Sequence, residues 1–122
     1  MGRILVVDDD VEIRNILRNL LESAGFEVQI ASNGRDAIDR FKANPADIII
    51  TDIVMPEMDG LTMIVGLKNE FPDVKIIVTS SGGPMKSDTL LDIAEEIGAV
   101  QGLLKPFNKD ELLEVIKSTL ES

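Results

Sequence analysis

The chain of 122 residues has no cysteine, no histidine, no tryptophan and no tyrosine, and its aromatic content is four phenylalanines. Without cysteine there is no disulfide framework, no thiol nucleophile and no thiolate metal site; without histidine there is no imidazole base or nitrogen ligand. The chemistry that remains is carboxylate, hydroxyl and amine. Basic residues are scarce too: 12 Lys and Arg stand against 22 Asp and Glu, a formal charge of −10. That balance works against direct binding to nucleic acid or an anionic membrane, both of which attract basic patches, and leaves proteins and cations as partners. No apolar run approaches the roughly 20 residues that span a bilayer. Met1-Gly2-Arg3 leads into a strand pattern with no signal-peptide layout, so the sequence reads as soluble and cytoplasmic. The length predicts one domain over residues 1–122, able to bury about two-thirds of its unfolded surface.

What the chain does have is a steady alternation of short aliphatic runs and helical patterns. Ile4-Leu5-Val6-Val7, residues 47–51 and residues 74–79 read as buried strands, and residues 26–31 as a shorter alternating one. Residues 99–104 contain Gln101 and Gly102, which predict an edge strand. Between them, Ile13, Ile16, Leu17, Leu20, Leu21 and Ala24 share helix spacing, with Gly25 as a left-handed stop. Asn33 caps a second helix with Ala37, Ile38 and Phe41 inside, ended by Asn44-Pro45. Leu61, Ile64, Val65 and Lys68 give a third helix that stops near Phe71-Pro72-Asp73, with the Lys68 stem placed to snorkel. Leu90, Ile93, Ala94 and Ile97 give a fourth. Asn108 with Glu111 resembles a capping box ahead of a last stripe of Leu112, Leu113, Ile116 and Leu120. Met55, Met58 and Met63 read as packing or loop residues. The sum is an α/β (βα)5 chain. Right-handed crossovers put helices on both faces, predicting a flavodoxin-like three-layer sandwich with a five-stranded parallel sheet of order 2-1-3-4-5.

In that order the first and third strands are neighbours, so Asp8, Asp9 and Asp52 converge at the carboxyl edge of the sheet, where open α/β folds place ligands. Three carboxylates about 5 Å apart repel by about 3 kcal/mol per pair at an effective dielectric of ~20, so the cluster calls for a cation. Hard oxygen ligands alone favour Mg2+, with Mn2+ an alternative, and Mg2+ fills its shell with water and phosphate oxygens. A phosphoryl group there would meet the Lys105 ammonium and the hydroxyl of Ser80 or Thr79, with Asp52 as nucleophile. Taken singly, each feature has a plainer reading: the aspartate triplet is a helix cap, Lys105 a surface lysine, Ser80-Ser81-Gly82-Gly83 a loop. One phosphoryl site accounts for all of them together.

Val6-Val7-Asp8-Asp9-Asp10, Asp52 with Met55-Pro56 and Met58-Asp59-Gly60, a hydroxyl residue after the fourth strand and Lys105-Pro106-Phe107 are the motifs on which the chain resembles the receiver domain of two-component response regulators, over essentially its full length. The resemblance implies a phosphoacceptor switch rather than an enzyme: Asp52 takes a phosphoryl group from the phosphohistidine of a sensor histidine kinase or phosphotransfer protein, with Mg2+, and the change is read by an output protein. It implies Asp9 as a direct metal ligand, Asp8 partly through water, Asp52 through one oxygen and Val54 through its backbone carbonyl. Lys105 pairs with the acyl phosphate, and the Lys105-Pro106 peptide is expected to be cis. Strand alternation lets only one of Thr79 and Ser80 face the site, and Ser80 is favoured as the switch hydroxyl because that leaves residues 76–79 as the strand proper and Ser81-Gly82-Gly83 resembles the loop of some receivers. Asp10 matches no ligand role and is expected to cap the first helix.

The chain departs from the receiver pattern at Gly102, where many receivers carry an aromatic residue three before the lysine, and at Val54, two beyond Asp52, where some have a polar side chain. Two alternatives stand beside the receiver reading. Asp8-Asp9-Asp10 also reads as the Asp-x-Asp of a Mg-dependent phosphatase of the haloacid dehalogenase type, against which stand Glu12, the short chain and the lack of a second acidic motif. A receiver-like binding module that is never phosphorylated is the other. With no output domain after Ser122, the sequence fits a stand-alone receiver or part of a longer regulator.

Overall fold

A computed structural model describes residues 2–52, 60–80, 101–104 and 108–121. Five strands, β1 (Arg3–Val7), β2 (Glu27–Ala31), β3 (Ile48–Asp52), β4 (Lys75–Ser80) and β5 (Gln101–Leu104), form one sheet of order β2-β1-β3-β4-β5, parallel throughout. Four helices are described: α1 (Val11–Ser23), α2 (Gly34–Ala43), α3 (Gly60–Glu70) and α4 (Lys109–Glu121). The helix expected around residues 90–97 lies outside the described residues.

Strand alternation divides the core between the two faces. Leu5, Val7, Ile49, Ile76 and Val78 pack with Ala37 and Phe41 of α2 and with Met63, Ile64 and Leu67 of α3. Ile4, Val6, Ile48, Ile50, Ile77 and Leu103 pack with Leu17 and Leu21 of α1 and Leu112 and Ile116 of α4. The three-layer sandwich and its strand order are those expected from the sequence, and β5 takes the edge.

Local signals explain the helix ends. Asp10 caps α1, its Oδ1 accepting from the N–H of Glu12 at 2.9 Å. Gly25 follows with φ 98°, the left-handed conformation an L side chain resists. Asn33 accepts from the Asp36 N–H at 2.8 Å and Asn108 from the Glu111 N–H at 2.8 Å. Lys68 lays its stem along the end of α3 and donates to the Val74 carbonyl at 2.6 Å. Phe41 and Phe71 meet edge to face, centroids 4.9 Å apart.

Three residues expected to face inward do not. Ile16 is 59% exposed and Leu120 and Val65 lie on the surface. Ile16 is turned about 100° from Leu17, outside the arc that Leu17 and Leu21 bury. In α3 apolar side chains occur all round the cylinder, so spacing alone could not choose the face; Met63, Ile64 and Leu67 are the buried set.

At the amino-terminal edge Arg3 ties three strands together. Its N–H donates to Asp47 Oδ2 at 2.7 Å, its carbonyl accepts from the Asp47 N–H at 2.8 Å, and its guanidinium reaches the Asn44 side chain, the Pro45 carbonyl and Glu27. Gly2 passes so close that a Cβ there would meet Asp47 Oδ2 at 2.8 Å.

Candidate functional site

The opposite edge of the sheet carries the acidic residues. Val7 pairs with Thr51 across β1 and β3, which brings the next residues of the two strands, Asp8 and Asp52, side by side. Both continue the alternation of the face covered by α1 and α4, after Val6 and Ile50. Asp8 is 2% exposed and Asp52 9%, while Asp9 stands in solvent. A carboxylate oxygen from each of Asp8, Asp9 and Asp52 lies within 4.8 Å of the others.

The turn that carries Asp8 and Asp9 is held at three successive peptides. The Asp8 N–H donates to the Ala31 carbonyl at 3.2 Å, the Asp8 carbonyl accepts from Arg14 Nη1 at 3.2 Å, and the Asp10 N–H donates to Asp8 Oδ1 at 3.0 Å. Asp10 itself is occupied with the α1 cap, the role expected of it. Sequence reasoning missed Arg14. Its one signal was position, a cation in the first turn of a helix, where the dipole favours anions.

Anionic oxygens at this spacing could hold a hard divalent cation. Two of the three carboxylates are buried, where like charges repel more strongly than in water, so a cation between them removes a cost as well as gaining ligands. Three carboxylates do not complete the six-fold shell that Mg2+ requires, which leaves positions for water or a phosphoryl oxygen.

Thr79 pairs in register with Asp52 and is buried, its hydroxyl 3.5 Å from the Thr51 carbonyl. Ser80 is the last residue of β4, its backbone beside Leu104 of β5. The Ser80 side chain, Val54, Lys105 and the Lys105-Pro106 peptide lie outside the described residues, as do Met55 and Met58. Gly102 sits in β5 beside Val78, so this strand position offers no side chain to bury or release.

The family pattern described as "Response regulator receiver domain" matches residues 4–117. Chemotaxis protein CheY of Bacillus subtilis (strain 168) is 38% identical over 119 residues, 97% of this chain and 97% of its own. Transcriptional regulatory protein CpxR of Escherichia coli (strain K12) is 35% identical over 98% of this chain, which spans 50% of CpxR. Among solved structures, response regulator protein TrrA of Thermotoga maritima, in complex with Mg(2+)-BeF, superposes with a TM-score of 0.86 at 35% identity, covering 98% of this chain and 99% of that one.

Proposed function

The chain belongs to the response regulator receiver domain family, and from that premise we propose that it is a Mg2+-dependent phosphoacceptor switch with Asp52 as the acceptor. The observation that carries the reading is the convergence of Asp8, Asp9 and Asp52 within 4.8 Å at the carboxyl ends of the central strands. Asp8 and Asp9 would hold the cation together with Asp52 and the Val54 carbonyl. The Mg(2+)-BeF bound to TrrA is the combination of hard cation and small anionic group that such carboxylates suit.

In the transfer, an Asp52 carboxylate oxygen attacks phosphorus as the P–N bond of a phosphohistidine breaks, and the departing imidazole retains the electron pair and takes a proton. A cation held by Asp8, Asp9 and Asp52 would supply counter-charge to the phosphoryl oxygens. Asp52 is placed at the last residue of β3 and buried, so its nucleophilic oxygen is presented by a rigid strand with little freedom to lose. Lys105 supplies the counter-charge to the acyl phosphate, and Ser80 a hydroxyl to its oxygen. Ser80 is preferred to Thr79 as this hydroxyl because it closes β4 immediately ahead of Ser81-Gly82-Gly83.

The phosphodonor would be a sensor histidine kinase or phosphotransfer protein and the reader an output protein, met in the cytoplasm. Among the described residues no helix is long and apolar enough to cross a membrane. Family membership over residues 4–117 sets the haloacid dehalogenase alternative aside. The test is incubation with a small acyl phosphate or phosphoramidate and Mg2+, read by intact mass. A single-phosphate increase that disappears in Asp52→Asn supports the proposal. An unlabelled wild type would indicate the unphosphorylated binding module, and label that persists in Asp52→Asn would move the acceptor elsewhere.

A further inference from the structure

Among the described residues, Arg14 is a charged side chain bonded to the backbone of the site that the reading above leaves without a task. It occupies the first turn of α1, half-buried, in a cleft lined also by Ile30, Ala31, Ser32, Asp36 and Arg40. Among the described residues it joins no ion pair, since the nearby Asp36 is taken by Arg40 at 3.0 Å. Its Nε is buried without a hydrogen-bond partner. Burial of an unpaired guanidinium and a cation at a helix amino terminus both cost free energy. The contact that this placement secures is the one from Nη1 to the Asp8 carbonyl at 3.2 Å.

That carbonyl belongs to the peptide joining Asp8 to Asp9. The peptides on either side are held by the chain's own turn and sheet, through Asp10 N–H to Asp8 Oδ1 and Asp8 N–H to the Ala31 carbonyl. The middle peptide is the one whose orientation sets the relative aim of the two neighbouring carboxylates, and Arg14 grips it from outside the turn. We propose that Arg14 is a positioning residue for the cation site: by fixing the Asp8–Asp9 peptide it presents both carboxylates in the geometry that Mg2+ demands, at the expense of holding a positive charge nearby. The inference rests on the reading of Asp8 and Asp9 as metal ligands.

The sign of the effect separates positioning from charge. Arg14→Met keeps the apolar stem and removes both donors and charge; if the residue acted by its charge, losing it would tighten Mg2+ binding. If it acts by positioning, binding weakens. Outer residues that orient metal ligands typically matter by 10-fold or more. The experiment is a Mg2+ titration of the full chain followed by amide NMR shifts, with thermal unfolding in chelator as an independent check of folding. Arg14→Met is expected to raise the Mg2+ Kd about tenfold, and Arg14→Lys, which retains a charge and a donor, to recover most of the loss while staying roughly two- to threefold above wild type. Phosphorylation by a small phosphodonor is expected to slow at low Mg2+ and return to the wild-type rate at saturation. A Kd for Arg14→Met equal to or tighter than wild type overturns the proposal, as does a rate that saturating Mg2+ does not restore. If Arg14→Met does not fold, Arg14→Lys decides: the small rise with unchanged unfolding temperature supports positioning, and a wild-type Kd overturns it. A wild type that binds no Mg2+ overturns the functional reading itself, an outcome distinct from either.

Discussion

Replacing Asp52 by Asn should make the cation-free protein more stable while removing its chemistry. Asp8 and Asp52 are 2% and 9% exposed, with carboxylate oxygens within 4.8 Å. Two unit charges at that distance repel by about 3.5 kcal/mol at an effective dielectric of 20. The hydrogen bond from the Asp10 N–H to Asp8 Oδ1, together with the further polar interactions that Asp8 and Asp52 make, offsets part of that. Asp9 is exposed and adds less than about 1 kcal/mol through the solvent. Asn has the shape of Asp, so packing is retained and the net gain is on the order of 1–3 kcal/mol. At about 4 °C per kcal/mol for a domain of this size, the unfolding temperature rises by roughly 4–12 °C. The assay is thermal unfolding by far-UV circular dichroism, first with chelator and then with Mg2+. A cation at ten times its Kd stabilises the wild type by about 1.4 kcal/mol, whereas the variant, with one ligand charge fewer, gains less, and the two curves converge. An Asp52→Asn protein no more stable than wild type in chelator, or one that gains as much from Mg2+, would refute the electrostatic account of the cluster.

Two further outcomes concern the scaffold. Asn108→Ala removes the side chain that accepts the Glu111 N–H and is expected to cost about 1 kcal/mol, read as a fall of about 4 °C in unfolding temperature with the Mg2+ affinity unchanged. Leu21→Ala deletes a side chain with no exposure in the cluster between the sheet and α1, and is expected to cost about 2–5 kcal/mol in a denaturant titration, against under about 0.5 for the exposed Val65→Ala.

Much of the fold was legible because it is written in two incommensurate periods. Runs such as Ile48-Ile49-Ile50 have no polar interruption and suit a strand buried on both faces, and right-handed crossovers then put helices on both sides of the sheet. The capping residues Asp10, Asn33 and Asn108 were legible for the same reason: a side-chain acceptor is needed at the start of a helix, and short polar residues supply it. Where many apolar residues crowd one helix, as in α3, period carries little information, and Val65 was assigned to the wrong side. At the site, the three aspartates were readable because each ends an aliphatic run. Arg14 was not, since what distinguishes it is a tertiary contact with a carbonyl six residues back, and a backbone carbonyl leaves no mark in sequence.

The Arg3 tie gives the sheet the mechanics of a cantilever. At one end the strands are riveted through Arg3 to Asp47, Asn44 and Glu27; at the other, the acidic residues sit on the tips. Among the described residues, none of the Arg3 side-chain contacts reaches the acidic residues at the other end of the strands. Arg3 and the acidic tips therefore belong to separate mutational economies: loosening the root lowers the load the whole beam survives, while alterations at the tips change what it feels.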